Sequence, residues 1–137
     1  APLGLPDALT DLVSGLRQRH ADWQIDLIVS DLGAALAAPA ALVAYRVVQE
    51  AVNNAIKHSG GTQITVTLAP HPPQHMSLSI EDNGRGLPPA EERPPRFGLT
   101  SLRERVLALG GVFTAAARAE GGTCIQATLA CQAEAGA

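Results

Sequence analysis

Residues Thr62–Glu81, TQITVTLAPHPPQHMSLSIE, decide the fold class. Thr62 to Ala69 alternates polar and apolar side chains, and His75 to Glu81 does the same. Period-2 alternation marks strands with one buried face. His71-Pro72-Pro73-Gln74 between them reads as a turn, so the strands form an antiparallel hairpin. Upstream, Ala41 to His58 reads as a long helix stopped by Ser59-Gly60-Gly61. Before it come an Ala-rich connection over Asp31–Pro39, a strand over Gln24–Ser30 and a helix over Pro6–Arg19. Downstream, Asp82 to Arg96 is loop. Ser101 to Leu109 reads as a helix with Leu102, Val106 and Leu109 on one face. Ser101 and Glu104 have the spacing of a capping box, and Gly110-Gly111 ends the helix. Val112–Arg118 and Thr123–Ala130 form a second hairpin across Ala119–Gly122. The expected fold is α+β: a two-layer sandwich whose mixed, mainly antiparallel sheet is covered on one face by helices. The domain is expected over residues 1–131, with 132–137 a disordered tail.

Composition narrows the function. The chain has 137 residues, 46% hydrophobic and 17% charged, enough for a core and too apolar for disorder. Aromatics are only 3%, so Ala, Val, Leu and Ile must fill the interior. A net charge of −3 argues against nucleic acid held by bulk electrostatics. No apolar run approaches the ~20 residues that span a bilayer, and the first ten residues lack a signal-peptide pattern. Cys124 and Cys131 offer neither a zinc spacing nor a disulfide framework, and read as ordinary thiols of a reducing compartment. The only Lys is Lys57, and the only Asn residues are Asn53, Asn54 and Asn83. These rare types fall in two short segments.

The first segment is Gln49–His58, QEAVNNAIKH. Glu50, Asn54, Lys57 and His58 lie at i, i+4, i+7 and i+8, one stripe of a helix. Tyr45, Val48, Val52, Ala55 and Ile56 occupy the other side. The stripe offers an acid, a neutral oxygen ligand, a cation and an imidazole. Magnesium takes hard oxygen ligands, and Asn54 supplies one without adding charge beside a polyphosphate. Lys57 can pair with a phosphate, and Glu50 can act as a base or hold a water. A solvated helix face with Arg46–Glu50 support is the plainer reading.

The second segment is Ile80–Leu87, IEDNGRGL. An acid at a strand end can accept from an exocyclic amine such as that of adenine. Gly84 and Gly86 permit close approach of backbone to a ligand, although a D-N-G turn also explains them. The third, Phe97-Gly98-Leu99-Thr100-Ser101, feeds a helix N-terminus, whose free amides favour anions. The fourth, Glu120-Gly121-Gly122-Thr123, is a hairpin bend with a hydroxyl.

In order and spacing these four segments resemble the N, G1, G2 and G3 boxes of the ATP-binding domain of sensor histidine kinases, in the superfamily shared with gyrase B, mismatch-repair ATPases and heat-shock ATPase chaperones. QEAVNNAIKHS, FGLTSLRERV and the opening LGLPDAL look like the subfamily that includes nitrate/nitrite sensors. The resemblance spans nearly the whole chain and implies a Bergerat-type fold. It implies that Asn54 is the Mg2+ ligand, that Asp82 accepts from the adenine amino group, and that Gly84, Gly86 and Leu87 lie against the base. Lys57 and His58 would face the phosphates, Gly98 and Leu99 would offer them backbone amides, and Thr123 would sit near adenine. Glu50 is the base, a magnesium-water ligand or an orienter. Residues 87–97 would be the ATP lid, short and carrying Pro88, Pro89, Pro94 and Pro95, with no F box.

The implied activity is transfer of the γ-phosphate of Mg-ATP to a histidine, in two-component signalling. The subfamily's acceptor histidine is followed by an acid. His20-Ala21, His58-Ser59, His71-Pro72 and His75-Met76 do not fit. The resemblance therefore implies a soluble, monomeric, cytoplasmic C-terminal piece of a membrane-anchored kinase. Its partners would be its own dimerisation/phosphoacceptor helices and a response regulator, with no nucleic acid. An anti-sigma-type serine kinase and an ATP-sensing module without transfer are the alternatives.

Overall fold

In a computed structural model, residues 4–30, 36–85 and 99–131 are described. The elements run α1 (Leu5–Arg19), β1 (Gln24–Val29), α2 (Ala38–His58), β2 (Gln63–His71), β3 (His75–Asp82), α3 (Leu99–Ala108), β4 (Val112–Ala117) and β5 (Thr123–Ala130). The five strands form one sheet in the order β1-β2-β3-β5-β4. β1 is parallel to β2, and every other pairing is antiparallel. This is the expected two-layer α+β sandwich.

Register explains why only one face is covered. Val66 pairs with Ile80 and Leu68 with Leu78. Across the next ladder Ile80 pairs with Ile125 and Leu78 with Ala127. All six are buried, and a one-residue slip would turn them to the other face. That other face carries Thr65, Thr67, Ser77, Ser79, Gln126 and Thr128, none of them buried. Against the apolar rows lie Leu9, Val13 and Leu16 of α1, Ala44, Val48, Val52 and Ala55 of α2, and Leu102 and Val106 of α3. The alanines of α2 leave little side-chain bulk between helix and sheet, which suits a core poor in aromatics. Truncating Leu78 in such a row costs about 2–5 kcal/mol.

Some sequence boundaries shift, with local causes. α2 starts at Ala38, three residues before the expected Ala41, and Pro39 sits in its first turn, where a missing N–H costs nothing. β2 continues through Pro70 to His71, which pairs with His75. α3 begins at Leu99, so Ser101 lies inside the helix and the expected Ser101/Glu104 capping box is not its start. Leu109 falls beyond the end of α3 and is 39% exposed, leaving Leu102 and Val106 as the buried face. β4 stops at Ala117, which frees Arg118 for the turn. The expected tail, 132–137, lies outside the described residues.

Candidate nucleotide site

The apolar rows end in polar residues at one edge. Asp82, the last residue of β3, is 7% exposed, and Thr123, the first of β5, is 6% exposed. A buried carboxylate needs partners. One of its oxygens, Oδ1, accepts the Gly84 N–H at 2.8 Å.

Three backbone segments meet around it. The first is the end of α2. Ser59 caps the helix, its N–H bonding the Ala55 carbonyl at 3.0 Å. Gly60 follows at φ +70, a left-handed conformation that suits glycine. The Ser59 carbonyl accepts the Arg85 N–H at 2.9 Å, and its hydroxyl accepts the Gly61 N–H at 3.1 Å. A Cβ on Gly84 would overlap Ser59, so this glycine is required by close approach. The second segment is Asn83. Its Oδ1 accepts the N–H groups of Thr62 at 2.8 Å and Gln63 at 2.9 Å. Its Nδ2 donates to Thr62 Oγ1 at 3.1 Å. The third is the β4–β5 bend. Gly122, at φ +98, packs so tightly on the Asp82 carbonyl that a Cβ would collide with it. Arg118 Nη1 donates to the same carbonyl at 2.8 Å.

Charge is organised at this edge. Arg118 Nη2 reaches Glu120 Oε2 at 2.9 Å, and Nε lies 3.4 Å from Glu81 Oε2, an ion-pair contact outside hydrogen-bond geometry. Cys124, opposite Glu81 in the ladder, has its thiol pKa raised by burial first and the Glu81 charge second, with Arg118 opposing.

The polar stripe of α2 leads into the same corner. Glu50, Asn54 and His58 are half-buried and Lys57 is exposed. Asn54 precedes Ser59 by five residues, about 7.5 Å along the axis. Val48, Val52 and Ala55 are buried as expected, while Tyr45 and Ile56 only flank the core. The expected Arg46–Glu50 support is not what forms: Arg46 donates to Gln49 Oε1 at 3.1 Å. Leu99 is the first residue of α3. Gly86, Leu87, Gly98 and the expected lid 87–97 lie outside the described residues.

Sequence reasoning missed three residues that build this corner. In the sequence Ser59 signals only a helix stop. Asn83 had a signal, as one of three asparagines, but its side-chain role needed the fold. Arg118 had none, because its partner Asp82 lies 36 residues away.

A buried carboxylate at a strand end, glycines pressed against it and a polar helix stripe beside it make this corner of the α/β sandwich the candidate nucleotide site. Comparisons with known proteins specify the family. Residues 40–133 match the model of the histidine kinase-, DNA gyrase B- and HSP90-like ATPases. That match covers more than half of the chain, and the chain belongs to this family. It is 40% identical over 95 residues to the signal transduction histidine-protein kinase/phosphatase UhpB of Salmonella typhimurium, covering 69% of this chain and 17% of UhpB. It is 37% identical over 82 residues to the sensor protein VraS of Staphylococcus aureus, covering 60% of this chain and 23% of VraS. The chain thus spans less than a quarter of either relative. Among solved structures it resembles the mycobacterial sensor histidine kinase MprB, with TM-score 0.70, 25% identity and coverage of 98% and 99%. The ATP-binding domain of PrrB from Mycobacterium tuberculosis shares the fold, with TM-score 0.74, 22% identity and coverage of 97% and 98%.

Proposed function

We propose that the chain binds Mg-ATP and donates its γ-phosphate to a histidine on a separate dimerisation/phosphoacceptor domain, within a two-component system. The observation that carries this is Asp82, a buried carboxylate at the edge of the sheet whose Oδ1 accepts the Gly84 N–H and whose main-chain carbonyl is held by Arg118 and Gly122. Such a group accepts from a planar amino donor and reads adenine. We assign Gly84, Gly86, Leu87 and Thr123 to binding of the base.

The donor set suits magnesium. Among the described residues no three His, Cys, Asp or Glu side chains gather to cage a metal. One amide oxygen, from Asn54, fits an ion that keeps waters and phosphate oxygens as its other ligands. When bound, Mg2+ neutralises phosphate charge. On the same stripe Lys57 adds a cation and His58 a donor, and we assign Gly98 and Leu99 the role of offering backbone amides to the phosphates. In the transfer, the bond from γ-phosphorus to the bridging oxygen breaks, a bond to the acceptor imidazole nitrogen forms, and ADP leaves. The imidazole proton goes to a base, a role open to Glu50.

Among the described residues no helix is long and apolar enough to cross a membrane. We place the domain on the cytoplasmic side of a membrane-anchored sensor, beside its phosphoacceptor helices and a response regulator, in the subfamily that includes nitrate/nitrite sensors. Titration calorimetry with a non-hydrolysable ATP analogue, with and without Mg2+, tests binding. Acceptor helices supplied in trans with labelled ATP then test transfer. Binding without transfer would favour an ATP-sensing module. Glu50→Gln should retain binding and lose transfer if Glu50 is the base.

A further inference from the structure

We propose that Arg118 is a positioning residue for base recognition: it holds the backbone of Asp82 so that the carboxylate keeps its aim. This rests on the adenine-reading role of Asp82 given above.

Asp82 is fixed at two points. Gly84 N–H holds Oδ1 at 2.8 Å, and Arg118 Nη1 holds the main-chain carbonyl at 2.8 Å. The two contacts oppose rotation of the strand end that carries the carboxylate. Arg118 is itself held. Its N–H bonds the Gly122 carbonyl at 2.9 Å, and its own carbonyl accepts the Gly121 N–H at 3.1 Å. Glu81 and Glu120 flank its guanidinium, and its side chain is only 24% exposed. A planar fork can serve these separate oxygens together, whereas a lysine ammonium is one compact point of charge. Gly122 lies against the Asp82 carbonyl, so hairpin and guanidinium act on one atom. Elsewhere Arg17 Nε donates to the Ile25 carbonyl at 2.7 Å. That is the same chemistry on β1, away from Asp82, and it supplies a control.

The test is binding of ATP against inosine triphosphate, which carries a carbonyl where adenine has its amino group. Wild type should prefer ATP, and Asp82→Asn should erase the preference. Arg118→Ala should weaken ATP about fivefold, inosine triphosphate less, and so compress the ratio. Arg118→Lys should recover only part of it. Adding Arg118→Ala to Asp82→Asn should leave the ratio unchanged. Arg17→Ala should lower the melting temperature and keep the ratio.

A destabilised Arg118→Ala with an intact ratio would reduce Arg118 to a structural residue and overturn the proposal. If Arg118→Ala does not fold, Arg118→Lys decides on the same ratio, and full retention overturns the proposal. No preference in wild type, or a preference that survives Asp82→Asn, overturns the reading of Asp82 and this proposal with it. That result is separate from failure at Arg118 alone.

Discussion

The two ends of β3 contrast. At its start His75 pairs with His71 across a three-residue turn whose side chains are exposed. The imidazoles meet edge to face, with centroids 6.4 Å apart. At its finish Asp82 is buried, and two chain segments distant in sequence, the end of α2 and the β4–β5 bend, close on it and the loop that follows it. Both ends terminate the same ladder. Only one places close-packed glycines and a buried carboxyl there, features that cost stability and concentrate at functional sites.

The largest separation between the ends should come from Asp82→Asn. Replacing the carboxyl acceptor by an amide should weaken ATP by about a hundredfold, read by calorimetry. His71→Ala should leave affinity unchanged. Equal affinity for wild type and Asp82→Asn would place base recognition elsewhere.

Gly122→Ala ranks next. It carries a φ of +98 and a Cβ aimed at the Asp82 carbonyl. Gly110→Ala carries a φ of +77 in open space, so it should cost about 1 kcal/mol from conformation alone. Gly122→Ala should cost about 2–3 kcal/mol in urea unfolding. Equal losses would mean that the hairpin bend yields freely and does not clamp Asp82.

This difference between the ends also marks how far the sequence could be read. The hairpin and its buried face are legible, because alternation of apolar residues fixes which side chains turn inward. Asp82, Gly84 and the α2 stripe stand out as candidates in the sequence, because they cluster in short spans of chain. Arg118 does not, for it meets Asp82 only once β5 crosses to lie beside β3, an order that no local pattern encodes. The capping box failed for a related reason. Ser101 and Glu104 have the right spacing, yet α3 starts two residues earlier at Leu99. Spacing proposes a cap, and the chain entering the helix decides it.

Asn83→Ala against His71→Ala is a smaller comparison within one hairpin. Asn83 makes three side-chain hydrogen bonds to Thr62 and Gln63. Its loss strands two strand-edge N–H groups that water can partly reach, so about 1–2 kcal/mol of stability should go. His71→Ala should stay within about 0.5 kcal/mol. A reversed order would assign the organising role to the turn.

The two cysteines give the finest test, because each sits at one end. Cys131 N–H bonds the Gln74 carbonyl at the turn, at 2.7 Å. Cys124 pairs with Glu81 beside the site. The Cys124 thiol is held above its ordinary value, by burial first and by the Glu81 carboxylate second, with Arg118 pulling the other way. Only the thiolate is nucleophilic, so Cys124 should alkylate slowly at pH 8. Glu81→Gln removes one cause of the rise and should quicken the reaction. Arg118→Ala removes the opposing charge and should slow it. Cys131 should respond to neither. Mass spectrometry after timed iodoacetamide labelling separates the two thiols. Opposite changes at Cys124, with Cys131 constant, would show that the Arg118–Glu81 pair persists in solution. Parallel changes at both would mean that the substitutions loosen the whole sheet, and the contrast between its ends would fall.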